Sequence, residues 1–422
     1  MNTDILITAS SKSFPPKLWG SKVDEIASSM LRLSDFQTPI VTLDRSALDH
    51  NVRIMFDWIR NQGVELAPHG KTTMAPILWQ ELLDAGAWGL TLATAWQAQV
   101  GVASGLKRIL IANTVTDPTS LAWLSDALEA DPALEITTWV DSIETVDAME
   151  AHLPKLRRRI PVLVELGAAG ARTGARTVEQ AIEIAKRIHG SSVLELAGVA
   201  GYEGALAHGR SKEVLSKIDS YLDAIGTLYE EVAALGLIRE SARPIITAGG
   251  SEYFDRVADR LGHFAKVGVD VVLRSGAFQI HDDVLYFHNS PMGREIGTEP
   301  FHSAMHAWLR VVSHPEPGLV LLDGGKRDLA FDEGMPVPQA VVGVSVKDSE
   351  LILRGAEVTK LNDQHAFLRL ASAETGALPP GTVVRFGLSH PCTVMDKWRV
   401  LPVIDSVDAQ DPAVIGAVAT CF

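Results

Sequence analysis

Between residues 64 and 276 the chain alternates short apolar runs with longer amphipathic stretches, and this alternation restricts its possible folds more than any other feature. The short runs are apolar at successive positions, which is typical of strands that are buried on both faces of a parallel sheet. The stretches between them have helical length, as at Met74–Asp84, Val178–His189 and Lys212–Leu235. Eight strands separated by helices predict an α/β fold, a (β/α)8 barrel of the TIM type. The predicted strands are Val64–Ala67, Trp88–Leu92, Arg108–Ala112, Glu135–Val140, Ile160–Leu166, Leu194–Ala200, Pro244–Thr247 and Asp270–Arg274.

The pattern changes near residue 302. Beyond that point short strand-like runs are separated by Gly, Pro and Asp, and few stretches have helical length, which predicts an antiparallel β domain after the barrel. We therefore expect an N-terminal segment (1–37), a barrel domain (38–300) and a C-terminal β domain (301–422), with the strand predicted at Thr38–Asp44 available to pair with the β domain. The strand-like runs are Leu319–Leu322, Ala340–Val346, Glu350–Leu353, Ala366–Leu370, Thr382–Phe386 and Trp398–Val403.

Charge and cysteine content narrow the classes of partner. The 422 residues carry a formal charge of −14, whereas nucleic acids and anionic membranes require basic surface, so neither partner is expected. Cys392 and Cys421 are too few for a disulfide framework. No apolar run has membrane-spanning length, and the first residues are polar where a signal peptide is apolar. The sequence thus predicts a cytoplasmic enzyme with a small-molecule substrate.

Several predicted strands end in residues with chemical potential. Lys71 follows the first strand, and a lysine in a desolvated barrel mouth loses its proton easily and can bind a carbonyl compound, although a lone lysine in such a loop is more often on the surface. The seventh and eighth strands end in glycine turns with a hydroxyl, at the place where barrels commonly bind phosphate. Arg172 follows the fifth strand. A lysine, a phosphate site and an arginine together suit pyridoxal 5′-phosphate. The two turns contain Gly249, Gly250 and Ser251, and Ser275 and Gly276.

The run Pro68-His69-Gly70-Lys71-Thr72 resembles the Pro-His-x-Lys-Thr motif of a known family, the fold-type III pyridoxal-phosphate enzymes close to D-serine dehydratase and D-threonine aldolase. The resemblance extends from about Thr38 to the C-terminus and includes an alanine racemase-like barrel followed by a β domain. It implies that Lys71 binds the cofactor as a Schiff base and that Arg172 faces the pyridine nitrogen. It also implies that His69 and Tyr202 contact the cofactor, that both glycine turns lie near the phosphate, and that the protein is a homodimer.

A second motif concerns a metal. If His390 and Cys392 lay on a strand, their side chains would point to the same face and could bind one zinc ion, but from spacing alone a buried cysteine beside an ordinary loop histidine is the more frequent case. The family resemblance extends to Ser389-His390-Pro391-Cys392 and implies a zinc site at the cofactor. A cysteine at the second position resembles the dehydratase branch of the family, whereas the aldolase branch tends to carry an aspartate.

The resemblance implies a lyase that acts on D-β-hydroxy amino acids. We expect β-elimination from D-serine to pyruvate and ammonia, with zinc on His390 and Cys392 assisting loss of the hydroxyl. Retro-aldol cleavage of D-threonine or a related substrate is the alternative, because only Cys392 separates the two reactions. Racemisation is less favoured, since racemases of this fold resemble one another in using a tyrosine of the β domain, and no tyrosine follows Tyr286. A non-catalytic pyridoxal-phosphate-binding protein is a further alternative, but such proteins resemble the barrel alone.

Overall fold

The computed structural model describes residues 5–153, 158–297, 299–372 and 378–422. Within them, eight parallel strands form one sheet in which each strand pairs with its neighbours in the chain. The first strand pairs with the eighth, and the sheet closes through hydrogen bonds from Trp88 N to Leu66 O (2.8 Å) and from Thr91 N to Pro68 O (2.9 Å). The predicted barrel is confirmed. Its strands are Glu65–Leu66, Leu90–Leu92, Arg108–Thr114, Glu135–Val140, Ile160–Leu166, Leu194–Gly201, Ile245–Ala248 and Asp270–Leu273.

Helices cover the outside of the barrel, and most begin at a polar residue that ends the preceding loop. The side chain of this residue accepts a hydrogen bond from a backbone N–H in the first turn, which satisfies a group that the helix itself leaves unpaired. The capping residues are Asp44, Thr94, Asp117, Ser142, Thr177 and Ser211. The helices are Arg45–Gln62, Pro76–Asp84, Ala95–Ala103, Pro118–Ala130, Ile143–His152, Val178–His189, Lys212–Ala234 and Phe254–Leu261.

The inside of the barrel is filled by side chains. Trp139, Leu163, Ile245 and Val272 are buried there together with small residues, so the barrel is a packed core with no channel through it. Functional groups of the barrel must therefore collect at its ends. Among the described helices, none combines the length and the apolarity needed to cross a membrane.

The second sheet joins strands from the N-terminal and the C-terminal parts of the chain. Its central strand, Met305–Glu316, pairs antiparallel with Ile40–Asp44, and Ile40–Asp44 in turn pairs parallel with Val400–Ile404. The N-terminal strand thus lies in the interior of the β domain, and its five residues are all buried. The remaining strands are Leu31–Arg32, Leu319–Leu322, Val337–Val341, Glu357–Leu361, Ala366–Arg369, Val383–Gly387 and Ala413–Ala419.

One predicted strand of the β domain is wrong. Glu350–Leu353 belongs to a helix, Val346–Leu353, whose first turn is capped by the Ser345 hydroxyl, which accepts a hydrogen bond from Asp348 N (3.2 Å). Ser349 and Leu353, four positions apart, are the buried residues of this helix. Four residues of which the last three are apolar fit a strand and a helix equally well, and the capped first turn with its helical spacing decides the outcome. The strand predicted at Ala340–Val346 is shifted to Val337–Val341.

Candidate active site

A cavity of about 500 Å³ opens at the carboxyl ends of the barrel strands, below the segment that contains His390 and Cys392. Residues of the barrel and of the β domain line it together. All site residues predicted from the sequence border this cavity except Ser275, which is buried behind the wall and donates a hydrogen bond from its hydroxyl to Gly250 O (2.9 Å). The predicted residues in the wall are His69, Lys71, Arg172, Tyr202, Gly249, Gly250, Ser251, Gly276, His390 and Cys392.

Lys71 lies in a single 3-10 turn, Gly70–Thr72, directly after the first barrel strand. The turn is fixed from below, because the indole N–H of Trp79 donates a hydrogen bond to Gly70 O (3.0 Å). Burial lowers the pKa of the Lys71 amine, and the charges of Arg172 and Arg274 lower it further against the opposing effect of Cys392. The amine therefore loses its proton more easily than an exposed lysine, as Schiff-base chemistry and proton abstraction both require.

His69 and Gly276 form the part of the wall beside the lysine. Burial drives the pKa of His69 well below its ordinary value, so the imidazole is neutral, and its buried Nδ1 has no hydrogen-bond partner in the described chain. A Cβ atom on Gly276 would lie 2.5 Å from the carbonyl oxygen of His69, which only glycine avoids. His69 lines the cavity and carries a buried ring nitrogen without a partner in the described chain.

The glycine turn after the seventh strand does present N–H groups to an anion, but that anion is part of the protein. The buried carboxylate of Glu203 accepts hydrogen bonds from Gly249 N (2.9 Å) and Gly250 N (2.6 Å). These two N–H groups are therefore not free for a phosphate. Within the described residues, the N–H groups of Ser251, Ser275 and Gly276 donate no hydrogen bond, and of these three residues Ser251 and Gly276 line the cavity. Glu203 was missed from the sequence, because its partners are 46 and 47 positions away.

Arg172 and Tyr202 stand together on the opposite side of the cavity. The Arg172 guanidinium lies 4.7 Å from the centroid of the Tyr202 ring, in the geometry of a cation–π contact. Tyr202 is placed by Tyr221, whose hydroxyl accepts a hydrogen bond from Tyr202 N (3.0 Å) and donates one to Leu166 O (2.5 Å). One phenol thus joins the ends of the fifth and sixth strands, which carry the arginine and the tyrosine.

Arg274 contributes a fully buried positive charge at the cavity. It donates hydrogen bonds to Thr247 Oγ1 (2.7 Å) and to Gly201 O (2.6 Å), at the ends of two neighbouring strands. Burial lowers the pKa of this guanidinium, and the charge of Glu203 opposes that effect. The pair of buried charges stabilises the shape of the site and was not predicted from the sequence.

His390 and Cys392 meet at the cavity, but the expected strand is absent. The strand Val383–Gly387 ends before them, and Pro391 begins a short helix, Pro391–Met395, in which its missing N–H costs nothing. His390 caps this helix with a φ of 46°, an uncommon conformation for a residue with a side chain. Cys392 Sγ lies 3.4 Å from Thr72 Oγ1, next to the lysine in the chain.

The histidine and the thiol act on each other electrostatically. The hydrogen bond to Cys392, helped by Asp332, raises the pKa of His390 to about 9. Burial alone would raise the pKa of the Cys392 thiol, but hydrogen bonds with His390 and Thr72 and the charge of Lys71 outweigh it and lower that pKa. A thiol that loses its proton easily is a good metal ligand.

Two acidic residues complete this corner of the cavity. Asp332 Oδ2 lies 2.5 Å from His390 Nδ1, and ligand atoms of Asp332, Glu333 and His390 all lie within 4.8 Å of one another. Asp332 is 58 positions before His390 in the chain, in a loop without any pattern that pointed to the site. Cys392 lies outside this group of three but interacts with His390, so its thiol would add a sulfur donor to the nitrogen and oxygen donors, a set that suits zinc.

Three further residues of the wall were missed. His208 Nδ1 lies 3.4 Å from Glu252 Oε1, and the second oxygen of Glu252 is buried with no partner in the described chain. Tyr286 lines the same cavity. The site as a whole fits pyridoxal phosphate with a metal ion: a lysine of lowered pKa, an unpaired ring nitrogen, free N–H groups in two turns, and a metal-type donor set.

Comparisons with known proteins agree with this geometry. Two family models match the chain: the N-terminal domain of alanine racemase over residues 43–245, and a putative serine dehydratase domain over residues 304–404. Among curated proteins, a D-threonine aldolase of an Arthrobacter species is 27% identical over 364 residues, which cover 85% of this chain and 86% of the relative. A 3-hydroxy-D-aspartate aldolase of Paracoccus denitrificans is 26% identical over 309 residues, covering 72% and 76%.

A D-threo-3-hydroxyaspartate dehydratase of a Delftia species is 24% identical over 373 residues, covering 85% of this chain and 92% of the relative. Solved structures share the fold. The D-threonine aldolase from Filomicrobium marinum superposes with a TM-score of 0.74 at 23% identity, covering 92% of this chain and 97% of that one. The Delftia dehydratase superposes with a TM-score of 0.73 at 21% identity, covering 92% and 98%.

Proposed function

Because the chain belongs with the D-serine dehydratase- and D-threonine aldolase-like enzymes of pyridoxal-phosphate fold-type III, we propose that it is a lyase that removes water from a D-β-hydroxy amino acid, with D-serine as the substrate. Loss of water leaves aminoacrylate, which takes up one water molecule and hydrolyses to pyruvate and ammonia. The observation that carries this proposal is the thiol–imidazole pair of Cys392 and His390 beside the lysine turn. The curated relatives are named for D-threonine and hydroxyaspartate, so the choice of D-serine rests on Cys392 and on the dehydratase domain match.

Pyridoxal phosphate bound in the cavity supplies an electron sink for a carbanion, and a zinc ion supplies a Lewis acid for the leaving oxygen. Lys71, His69 and Tyr202 would hold the cofactor ring, and the free N–H groups of Ser251 and Gly276 would face its phosphate. Arg172 would lie at the pyridine nitrogen. A guanidinium keeps its proton at neutral pH, so it would leave that nitrogen largely unprotonated and the ring a weaker electron sink. Assistance at the leaving group then becomes more valuable.

The chain's own residues account for the proton and the leaving group. The Lys71 amine, with its lowered pKa, is suited to take the proton from the substrate's Cα. His390 and Cys392, with Asp332 or Glu333, would hold the metal on the side where the β-oxygen departs. Cys392 Sγ lies 3.4 Å from Thr72 Oγ1, and Thr72 follows Lys71 in the chain, so the metal would be held close to the base.

A second candidate is retro-aldol cleavage, and the His208–Glu252 pair favours it. Cleavage of the Cα–Cβ bond needs a base for the β-hydroxyl proton, and an imidazole that faces the cavity with a carboxylate 3.4 Å away can serve as one. The names of the aldolase relatives point the same way. The two reactions give different products from one substrate: D-threonine yields 2-oxobutanoate by elimination and glycine by cleavage.

The test measures keto acid and glycine from D-serine, D-threonine and D-threo-3-hydroxyaspartate, with and without a zinc chelator. We expect chelator-sensitive pyruvate from D-serine, and its loss in Cys392→Ala and His390→Ala. Cys421→Ala is the matched control, since Cys421 is the second cysteine of the chain and does not border this cavity. Glycine from D-threonine without any keto acid would replace the dehydratase with the aldolase.

We also propose a homodimer and a cytoplasmic location. The β domain exposes Val346 (78%) and Leu351 (64%) on one helix and Val337 (42%) on a nearby strand. This group of exposed apolar residues supports a face that a second copy of the chain would cover in the dimer. Two free cysteines suit a reducing compartment. Sedimentation velocity at micromolar protein tests the dimer, and a single species of 45.5 kDa would contradict it.

A further inference from the structure

Tyr286 borders the cavity without a place in the chemistry described so far. It follows the eighth barrel strand, in a short helix at Leu285–Asn289, and shares the cavity wall with Lys71 and Cys392. Val284, two residues before it, packs against Gly334, the neighbour of Glu333 in the chain: a Cβ atom on Gly334 would lie 2.7 Å from Val284 Cγ1. Tyr286 therefore stands on the metal side of the cavity.

The segment that carries Tyr286 is held firmly. Asp282 Oδ1 accepts hydrogen bonds from Val284 N (3.0 Å) and Tyr286 N (2.9 Å), which fixes the start of the helix. Asp283 N donates to Leu388 O (2.9 Å), only two residues before His390. The tyrosine and the metal-ligand segment are thus tied together through the backbone, so their separation is set by the fold.

The Tyr286 hydroxyl makes no hydrogen bond with any described residue, and it is not among the buried polar atoms that lack a partner. Tyr286 is half-buried, whereas two buried tyrosines of this chain do have partners: Tyr221 donates to Leu166 O (2.5 Å), and Tyr253 donates to Gly209 O (2.8 Å). Buried phenols normally find a partner. Tyr286 lines the cavity, so its hydroxyl is free to donate a hydrogen bond to a ligand there.

We propose that Tyr286 is a further catalytic residue, whose hydroxyl donates a hydrogen bond to the β-oxygen of the substrate as the bond between that oxygen and Cβ breaks. This inference rests on the proposed elimination. Negative charge develops on the departing oxygen, and a fixed donor stabilises it more than the neutral hydroxyl of the bound substrate. Burial raises the pKa of the Tyr286 phenol, so it keeps its proton at neutral pH and is a donor.

The first test compares two leaving groups in Tyr286→Phe. Chloride departs as a stable anion and needs no donor, whereas the hydroxyl group does. We expect pyruvate formation from D-serine to fall about a hundredfold, the usual effect of one lost donor at a developing charge, and formation from β-chloro-D-alanine to fall less than about threefold. Tyr229→Phe, in a helix away from the cavity, should leave both rates unchanged. Equal losses with both substrates would overturn the proposal.

The second test measures binding without turnover. α-Methyl-D-serine and 2-aminoisobutyrate both lack the α-proton, and only the former has a β-oxygen. In the cofactor-loaded protein, Tyr286→Phe should weaken binding of α-methyl-D-serine by about tenfold, the contribution of one hydrogen bond, and leave 2-aminoisobutyrate unchanged. Parallel changes for both ligands, or none for either, would refute the contact.

The two proposals fail in distinguishable ways. Wild-type protein that gives no pyruvate from D-serine or from β-chloro-D-alanine refutes the elimination, whatever Tyr286 does. Wild-type protein that gives pyruvate from both, with a Tyr286→Phe variant that retains its D-serine rate, refutes only the role of Tyr286.

Discussion

Replacement of Tyr221 by phenylalanine should loosen the wall of the active site from behind. The Tyr221 hydroxyl is the partner of two buried backbone groups, Leu166 O and Tyr202 N, at the ends of neighbouring barrel strands. Phenylalanine keeps the ring and removes only this bridge. The hydroxyl has space at this position because residue 201 is a glycine: a Cβ atom on Gly201 would lie 2.6 Å from the phenol oxygen. A glycine has no side chain that could take over the two hydrogen bonds.

The magnitude follows from the two groups left unpaired. Each buried backbone group without a partner costs about 1–3 kcal/mol, so Tyr221→Phe should lower the free energy of unfolding by about 2–6 kcal/mol. That is a large fraction of the roughly 5–15 kcal/mol that stabilises a typical protein. The loss falls on the strand ends that carry Arg172 and Tyr202, so cofactor affinity should fall with stability.

The assay pairs thermal unfolding with titration of pyridoxal phosphate by absorbance. Tyr229→Phe is the matched control, because it lies on the same helix, packs against Phe264 and makes no hydroxyl hydrogen bond with the described residues. We expect Tyr221→Phe to unfold at a lower temperature and to bind the cofactor more weakly than both wild type and this control. If the two phenylalanine variants behave alike in both measurements, the bridge does not position the site.

Three further predictions address the glycine turns and a buried histidine. Gly276→Ala should weaken cofactor binding by about tenfold or more, because the added Cβ would lie 2.5 Å from His69 O. Gly262→Ala is the control, since its added Cβ would have its nearest neighbour 3.5 Å away, and absorbance titration of the cofactor compares the two variants. Glu203→Gln should leave one glycine N–H without an acceptor and cost about 1.5–3 kcal/mol in thermal or urea unfolding, and unchanged stability would contradict the carboxylate bridge. Burial, with a smaller effect from a neighbouring histidine, lowers the pKa of His281 to about 3, so the unfolded chain binds a proton below pH 6.5 that the folded chain does not. The contribution of the neutral His281 to the free energy of unfolding is complete above pH 6.5 and should fall by about 1.4 kcal/mol per pH unit as the pH drops toward 3. Asparagine tolerates the φ of 49°, so His281→Asn should fold normally and reduce this pH slope in unfolding measured from pH 4.5 to 7.

The barrel could be predicted because its signals are local. Each strand is a short apolar run, as at Ile160–Leu166, and most helices begin at a polar capping residue, as at Thr177. Both patterns can be recognised within a few positions of the chain. The two glycine turns were found because strand order fixes which loops share the barrel mouth. Helical and strand patterns separate poorly in short segments, and Val346–Leu353 was assigned wrongly for that reason.

The rest of the site comes from residues that meet only in three dimensions. Glu203, Asp332 and Tyr286 lie in irregular loops or short turns whose composition resembles that of any surface loop, and neither charge nor spacing marked them. The residues His390 and Cys392 lie at the cavity as predicted, but the reason given for it was wrong. They lie at the start of a helix and not on a strand. Side chains two apart converge there because His390 adopts a left-handed backbone conformation.

The sheet of the β domain can be completed only late in the synthesis of the chain. Ile40–Asp44 leaves the ribosome early, but its two partner strands, Met305–Glu316 and Val400–Ile404, are made after the whole barrel. Until then five apolar and polar residues that are fully buried in the finished protein have no sheet to join. Contacts between distant parts of a chain form slowly and leave strand edges exposed in the meantime. The segment that carries His390 and Cys392 belongs to the last quarter of the chain, so the active site can be completed only after the whole barrel has been made.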